Sequence, residues 1–380
     1  MSAAALRRAF APAASALSQV VPGLAFAVAL ALIARGLALG LAAGSAGLPK
    51  VPLSPVMCAV ALGMLWRNTL GVPAWARRGL HWAMHGVLRT GIALVGLRLT
   101  LAGATAIALT ALPVAVTCLI VALVAGAGIA RALAVPRRLA LLLAVGTAVC
   151  GCTAVVAFSP VIRARHAETA FAVTCVVLFG CAAMLCYPWV AARFFAASPL
   201  HAGIFLGTAI HDTSQVIGAA LIYSQQAAAP QALAAASVAK LLRNLSIAAL
   251  MPAAAWLMRR EQGSEQTEEQ AGAARAVGGA LGTRPPVVPL FVLAFVGFIA
   301  VRTVGDTLLA AAAPWQALVS TGYTVSDLFL TCGMTAVGLS VSFSDMWRIG
   351  WRLLAAGLGL ATVVGACSLL LSRALLHLSP

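Results

Sequence analysis

Eleven apolar stretches, separated by arginine, proline or glycine, decide what this chain can become: 20–41, 52–66, 86–108, 113–131, 139–160, 169–190, 200–223, 231–258, 286–304, 322–341 and 353–376. A helix of ~20 apolar residues is long enough to cross the hydrocarbon core of a bilayer. Composition closes off the soluble alternative. Of 380 residues, 62% are hydrophobic and 9% charged, against roughly 25% charged in soluble domains. Lipid offers backbone groups no hydrogen bonds, so each stretch must satisfy its own as a helix. The expected fold is an all-α polytopic membrane protein. The number of transmembrane helices stays open between about ten and eleven, because 52–66 is short and 86–108 begins within a segment bearing Arg and His. The first stretch, preceded by Arg7 and Arg8, has the charge pattern of a signal peptide, but its length reads as a retained first span.

The formal net charge of +16 comes almost wholly from arginine that punctuates apolar runs. Nucleic-acid binding calls for basic residues gathered on one solvated face, which this pattern does not provide. It reads instead as topology. With eleven alternating spans and the N-terminus in the cytoplasm, sixteen basic residues fall inside and five outside, as the positive-inside rule requires. The expected location is the cell inner membrane, multi-pass. A Gln-, Gly- and Glu-rich stretch over 259–285, holding Glu261, Glu265, Glu268 and Glu269, reads as a flexible cytoplasmic loop. It divides residues 1–258, with about eight spans, from 286–380, with about three. Trp75, Arg77, Arg78, His81, Trp82 and His85 fit a short amphipathic helix lying on the cytoplasmic surface. The nine cysteines sit in or beside apolar runs and form no disulfide framework. Cys150-Gly151-Cys152 lacks the second Cys or His pair that zinc needs, so neither metal nor other cofactor is expected.

Ionisable groups inside spans cost ~2.5–3.5 kcal/mol each on insertion scales and therefore point to function. One cluster is His211-Asp212-Thr213-Ser214-Gln215, flanked by Gly207 and Gly218. A continuous lipid-facing helix could not carry it, whereas a helix interrupted near His211 and facing a cavity could. Lys240 and Arg243 share one face of the next span and need an anionic partner, either Asp212 or a substrate. A third stretch, Gly146 to Thr153, is lined with small residues and suits an unwound segment whose free N–H groups meet an anion. Internal echoes support inverted repeats. Gly146-Thr-Ala-Val149 recurs as Gly207-Thr-Ala-Ile210, Cys150-Gly-Cys-Thr-Ala-Val155 as Cys332-Gly-Met-Thr-Ala-Val337, and Val95-Gly-Leu-Arg-Leu-Thr100 as Val337-Gly-Leu-Ser-Val-Ser342. Arg98 stands alone on its span, able to snorkel to an interface or to line a pathway. Asp306, Asp327 and Asp345 fall near span ends, where solvation is expected. No P-loop, HExxH or GxSxG motif occurs, which argues against an intrinsic nucleotide-driven pump and the commonest intramembrane hydrolases.

In order, Gly91 through Gly96-Leu97-Arg98-Leu99-Thr100, Cys150-Gly151, His211-Asp212 with Gln215-Val216, Lys240-Leu-Leu-Arg243 and Ala336-Val-Gly-Leu339 resemble the YeiH-type membrane protein family of sulfate-exporter-like transporters. The likeness runs from about Pro22 to Leu376. It implies a place in the cation/proton antiporter and anion transporter superfamily, with broken helices crossing at mid-membrane. Cys152-Thr153, Ser214 and Gly218 depart from the small residues usual there, at positions that would recognise a substrate. The expected function is a secondary transporter exporting a small anion, sulfate or an organic sulfonate, by alternating access. Cys150, Gly151, Cys152, Thr153, Thr213, Ser214, Gln215, Lys240, Arg243 and Arg98 are the expected substrate-binding residues, with His211 and Asp212 coupling a proton or another ion. A cation/proton antiporter using Asp212 is the alternative within transport. An intramembrane enzyme using His211 and Asp212 is the alternative outside it, and lacks a placed nucleophile. Expected partners are the bilayer, the anion and a coupling ion; whether copies of the chain associate stays open.

Overall fold

The structure, a computed structural model, describes residues 3–43, 54–250, 252–253, 290–309, 312–344 and 350–378. The Glu-rich stretch 259–285, Lys50 and Asp345 lie outside the described residues. All regular elements among the described residues are helical. In chain order they are α1 (Ala3–Ala43), α2 (Pro55–Thr69), α3 (Arg77–Trp82), α4 (Leu88–Val95), α5 (Leu101–Ala132), α6 (Arg137–Ala148), α7 (Cys152–Phe158), α8 (His166–Phe194), α9 (Pro199–Ala209), α10 (Thr213–Gln226), α11 (Pro230–Leu245), α12 (Leu290–Leu309), α13 (Ala313–Ser340) and α14 (Trp351–Leu378). Six helical segments are long and apolar enough to cross a membrane, on α1, α5, α8, α11, α12 and α14.

Two expectations shift. The residues from Ala74 to Arg98 form one helical run in which α3 passes through a π turn (Ala83–Val87) into α4 and a closing 3₁₀ turn (Gly96–Arg98). The amphipathic surface helix is therefore the first part of a membrane-length segment. The boundary expected at Pro113 is absent, because Pro113 lies inside the 32-residue α5, and the true break is the extended pair Leu99-Thr100. Thr100 caps α5, its hydroxyl accepting from the Gly103 N–H at 3.3 Å.

Side-chain pairings give the helix directions. Gly126 and Ile129 of α5 lie against Leu360 and Gly359 of α14, and Cys118 against Cys367, so the two helices are antiparallel. In α8, Cys175 reaches the Leu353 carbonyl, Phe179 lies on Gly357 and Tyr187 on Gly365, so α8 runs parallel to α14. It follows that α8 begins at the same end of the molecule where α5 finishes. The α6–α7 segment between them must enter and return on one side. A contact of Val155 with Gly146, on opposite sides of the break, shows the fold-back.

The same holds for α9–α10 from the other end. Gln215, at the start of α10, bonds the mid-helix carbonyl of Val177 in α8 at 3.0 Å. Tyr223, near the end of α10, donates to the Phe195 carbonyl just past the end of α8 at 3.3 Å. Both interrupted helices are thus present, but each is a hairpin dipping halfway in, from opposite sides. Length explains why. The first arms have 12 and 11 residues, which at ~1.5 Å per residue reach about the middle of a bilayer.

The six membrane-length segments among the described residues lie on α1, α5, α8, α11, α12 and α14, and α2, the 74–98 run and α13 pack among them. Arg163 and Arg165 lie at the end where α5 finishes and Arg193 at the opposite end, the reverse of where simple alternation of the spans would put them. Close approach of α2 and α13 rests on glycine: a Cβ on Gly338 would sit 2.4 Å from the Val60 carbonyl, and one on Gly63 would sit 2.7 Å from that of Thr335. Such small-residue contacts are how helices associate where lipid removes the hydrophobic drive. Outward, Leu109 and Val124 on α5 are each 68% exposed, a surface lipid would solvate.

Candidate site at the two hairpin tips

Each tip begins where a helix loses its hydrogen-bonding pattern. In the first, α6 ends at Ala148 and Gly151 takes φ +71°, ψ −129°, a conformation open to glycine at little cost. A Cβ at Gly151 would also lie 2.7 Å from Asp212 Oδ2. In the second tip, α9 ends at Ala209, Ile210 is extended, and Asp212 caps α10. Asp212 Oδ1 accepts from the Ser214 N–H at 2.9 Å and from its hydroxyl at 2.6 Å, while the Asp212 N–H donates to Gln215 Oε1 at 3.3 Å. This is a capping box. Gly151 and Asp212 are where the two hairpins touch.

Lys240 and Arg243 of α11 hold both tips. Lys240 Nζ donates to the carbonyls of Val149 at 3.0 Å, Ile210 at 3.1 Å and His211. Arg243 donates through Nε to Ala148 at 3.1 Å, through Nη2 to Thr147 and to Ala148 at 2.7 Å, and through Nη1 to Thr208. Both side chains are buried. Three carbonyl acceptors match the three N–H donors of an ammonium. The anionic partner that the sequence called for is supplied by orphan carbonyls at two helix C-termini, whose partial negative charge favours cations.

The arrangement is paired by sequence. Lys240 takes Val149 and Ile210, and Arg243 takes Thr147 and Thr208, which are matching positions in the Gly-Thr-Ala-Val/Ile echo. The Val-Gly-Leu echo also marks equivalent places, since both copies end a helix in extended backbone, at Leu99 and at Val341. The Cys-Gly echo does not. Cys332 to Val337 lie within unbroken α13.

Beyond this cation layer, exposure separates the polar residues. His211 and Gln215 are buried; Cys152, Asp212, Thr213 and Ser214 are half-buried, and Thr153 is exposed. The accessible face is therefore the start of α7 and α10, where backbone N–H groups point outward. Cys150 is buried. His211 Nδ1 has no hydrogen-bond partner. Gln215 Nε2 donates to the Val177 carbonyl at 3.0 Å, and its amide fills the gap over Gly180, where a Cβ would fall 1.8 Å from Oε1. Sequence reasoning missed Gly180 and also Asn244, whose Nδ2 donates to Thr213 Oγ1 at 3.2 Å. The signal for Asn244 was its place beside Lys240 and Arg243; for Gly180 there was none. No group of three or more His, Cys, Asp or Glu among the described residues is placed to hold a metal.

Arg98 belongs to a different cluster. Its Nη2 meets Asp327 Oδ1 at 2.7 Å and its guanidinium lies 4.9 Å from the Tyr323 ring centroid. Nearby, Arg302 pairs with Asp306 at 2.6 Å and donates to Tyr323 Oη at 2.5 Å, and Trp315 Nε1 donates to Asp306 at 2.9 Å. Asp327, expected near a span end, lies midway along α13, and Asp306 is tied by Arg302 and Trp315 on α12.

The model of a family described as conserved hypothetical protein 698 matches residues 22–357. The chain is similar to UPF0324 membrane protein RSc1111 of Ralstonia nicotianae, 33% identical over 340 residues, or 84% of this chain and 87% of the relative. It is 31% identical to UPF0324 membrane protein OB3406 of Oceanobacillus iheyensis over 331 residues, 85% and 89% of the two chains. No solved structure matches.

Proposed function

The chain belongs to the UPF0324 membrane protein family, the YeiH-type family its motifs resemble, and we propose that it is a secondary transporter of a small anion, an exporter of sulfate or an organic sulfonate. The observation that carries this reading is the pair of hairpins from opposite sides, whose tips share one accessible polar face above two buried cations. Lys240 and Arg243 neutralise the C-terminal ends of the first arms. The positive N-terminal end of α10 and the start of α7 at Cys152 and Thr153 face the accessible side, with Asp212 between them. Two cations against one carboxylate make a centre that suits an anion. A metal cation would join an excess of its own sign.

In this reading Thr153, Thr213, Ser214 and Cys152 surround the anion, with Cys150 and Gly151 shaping the first tip and Gln215 bracing the second. Lys240 and Arg243 act through charge and through the tips they hold. Asp212 occupies the anion's place while ionised, so its protonation opens the site and couples a proton to substrate. His211 lies behind the tip as a buried imidazole. Opening each hairpin in turn, from its own side, gives alternating access. The cation/proton antiporter remains the second reading, favoured by Asp212 being the carboxylate at the tips.

Purified protein in proteoliposomes tests the choice. Sulfate or an organic sulfonate should move down an imposed gradient, and Ser214→Ala together with Thr213→Val should slow it about tenfold. Flux of Na⁺ or K⁺ without any anion dependence, abolished by Asp212→Asn, would reverse the assignment in favour of the antiporter.

A further inference from the structure

A cavity of ≈ 400 Å³ opens where α2 ends, α3 begins and α13 ends. The starts and ends meet because the 74–98 run is antiparallel to α13: Leu88 packs on Gly333, and the Ser326 hydroxyl donates to the Gly91 carbonyl at 2.9 Å. The rim carries the polar lining. Arg67 comes from the last turn of α2, Arg77 and His81 from α3, and Ser340 from the end of α13. One turn further in, at Met84 of the π turn and Ala336 of α13, the lining is apolar.

Neither Arg67 nor Arg77 has a hydrogen-bond or ion-pair partner among the described residues. The described carboxylates are engaged elsewhere: Asp327 and Asp306 by Arg98 and Arg302, Glu168 by the Arg165 N–H, and Asp212 at the cap of α10. Arg67 suits the last turn of α2, where the helix dipole favours a cation. Arg77 stands in the first turn of the 74–98 run, where the dipole opposes one. An anion in the cavity would answer that charge. Indole rings fix the depth. Trp66 and Trp75 both pack on Phe26 of α1, with centroids 5.3 and 5.8 Å away, and Trp75 and Trp82 are exposed. Such rings favour the headgroup level of a bilayer. Leu65, exposed on α2, lies on the membrane side of Arg67.

We propose that this cavity binds the headgroup phosphate of an anionic phospholipid. Arg67 and Arg77 hold the phosphate oxygens, which guanidinium forks match in pairs, and the acyl chains run inward over Met84 and Leu65. Ser340 Oγ gives its hydrogen to the Val337 carbonyl at 2.7 Å and is left as an acceptor. A headgroup hydroxyl, such as that of phosphatidylglycerol, supplies the matching donor. A free inorganic anion would use the rim alone and leave the apolar lining wet, whereas an amphiphile covers both. Basic pockets between membrane helices take lipid headgroups in this way. None of the lining residues belongs to the hairpin tips, so the site stands whichever ion is transported.

The test is the melting of the purified full chain, stripped of lipid in an uncharged detergent. Phosphatidylglycerol should raise the melting temperature by about 3 °C or more. Phosphatidylcholine and inorganic phosphate at the same concentration should leave it unchanged. Arg67→Gln with Arg77→Gln should melt with wild type before lipid is added and lose the shift. Arg131→Gln with Arg138→Gln, which removes two exposed charges on α5 and α6, should keep it. An equal shift with inorganic phosphate would make the ligand a free anion and overturn the lipid assignment. No shift in wild type, a shift lost equally in both double variants, or one kept in both would overturn the site. A second measurement needs no variant: phosphatidylglycerol with a photoreactive acyl chain should label wild-type protein on α2 or the 74–98 run, and labelling confined to other helices would contradict the proposal.

Discussion

At the scale of single residues, the centre of the molecule is governed by unsatisfied backbone. Two helices stop inside the protein, and each stop leaves carbonyls that neither water nor lipid can reach. Lys240 and Arg243 answer both sets at once. This makes a prediction that separates holding the tips from contacting the anion. Lys240→Met would strand the carbonyls of Val149, Ile210 and His211. At about 1–3 kcal/mol for each buried unsatisfied group, the variant should lose about 3 kcal/mol or more, seen as a fall in melting temperature of the purified protein without ligand. A variant that melts with wild type and has lost only flux would place the ammonium on the substrate instead. The requirement for two buried cations was legible in the sequence, because they stand three positions apart on one face of an apolar helix. Their partners were not. A carbonyl carries no residue letter, and so Asp212 or a ligand stood in for it.

At the scale of elements, the interruptions themselves were readable, from polar and glycine residues placed mid-span. The Gly-Thr-Ala echo even located equivalent positions, three residues before each loss of helix. What the sequence did not carry was the reversal of direction. The stretches 139–160 and 200–223 have the length of one crossing, and a hairpin of two half-length arms has the same total. Only packing on α8, α11 and α14 distinguishes the two. Cysteine labelling of sealed vesicles checks it: Arg163→Cys should react from the same side as Ala134→Cys, and Ala197→Cys from the same side as Ala228→Cys. Labelling of positions 134 and 163 from opposite sides would mean that the first interrupted segment crosses.

At the scale of the whole molecule, two hairpins entering from opposite sides meet at the centre of the bundle. The outer helices were the most legible part, since length and apolarity alone specify them. The second polar cluster, in which Arg98 meets Asp327 and Arg302 meets the Leu97 carbonyl, ties the 74–98 run to α12 and α13, and nothing in the sequence pairs those residues across more than 200 positions. The central claim is that an anion and the ionised Asp212 compete for the same helix N-termini. A proton on Asp212 then favours the bound anion, so affinity rises as pH falls. The direct measurement is sulfate binding to the purified protein across pH, in wild type and in Asp212→Asn. Binding that tightens as pH falls in wild type, by up to about tenfold per pH unit, and that is tight and level with pH in Asp212→Asn, is the predicted result. Sulfate binding that keeps its pH dependence without the carboxylate, or Na⁺ binding in place of sulfate, would contradict it.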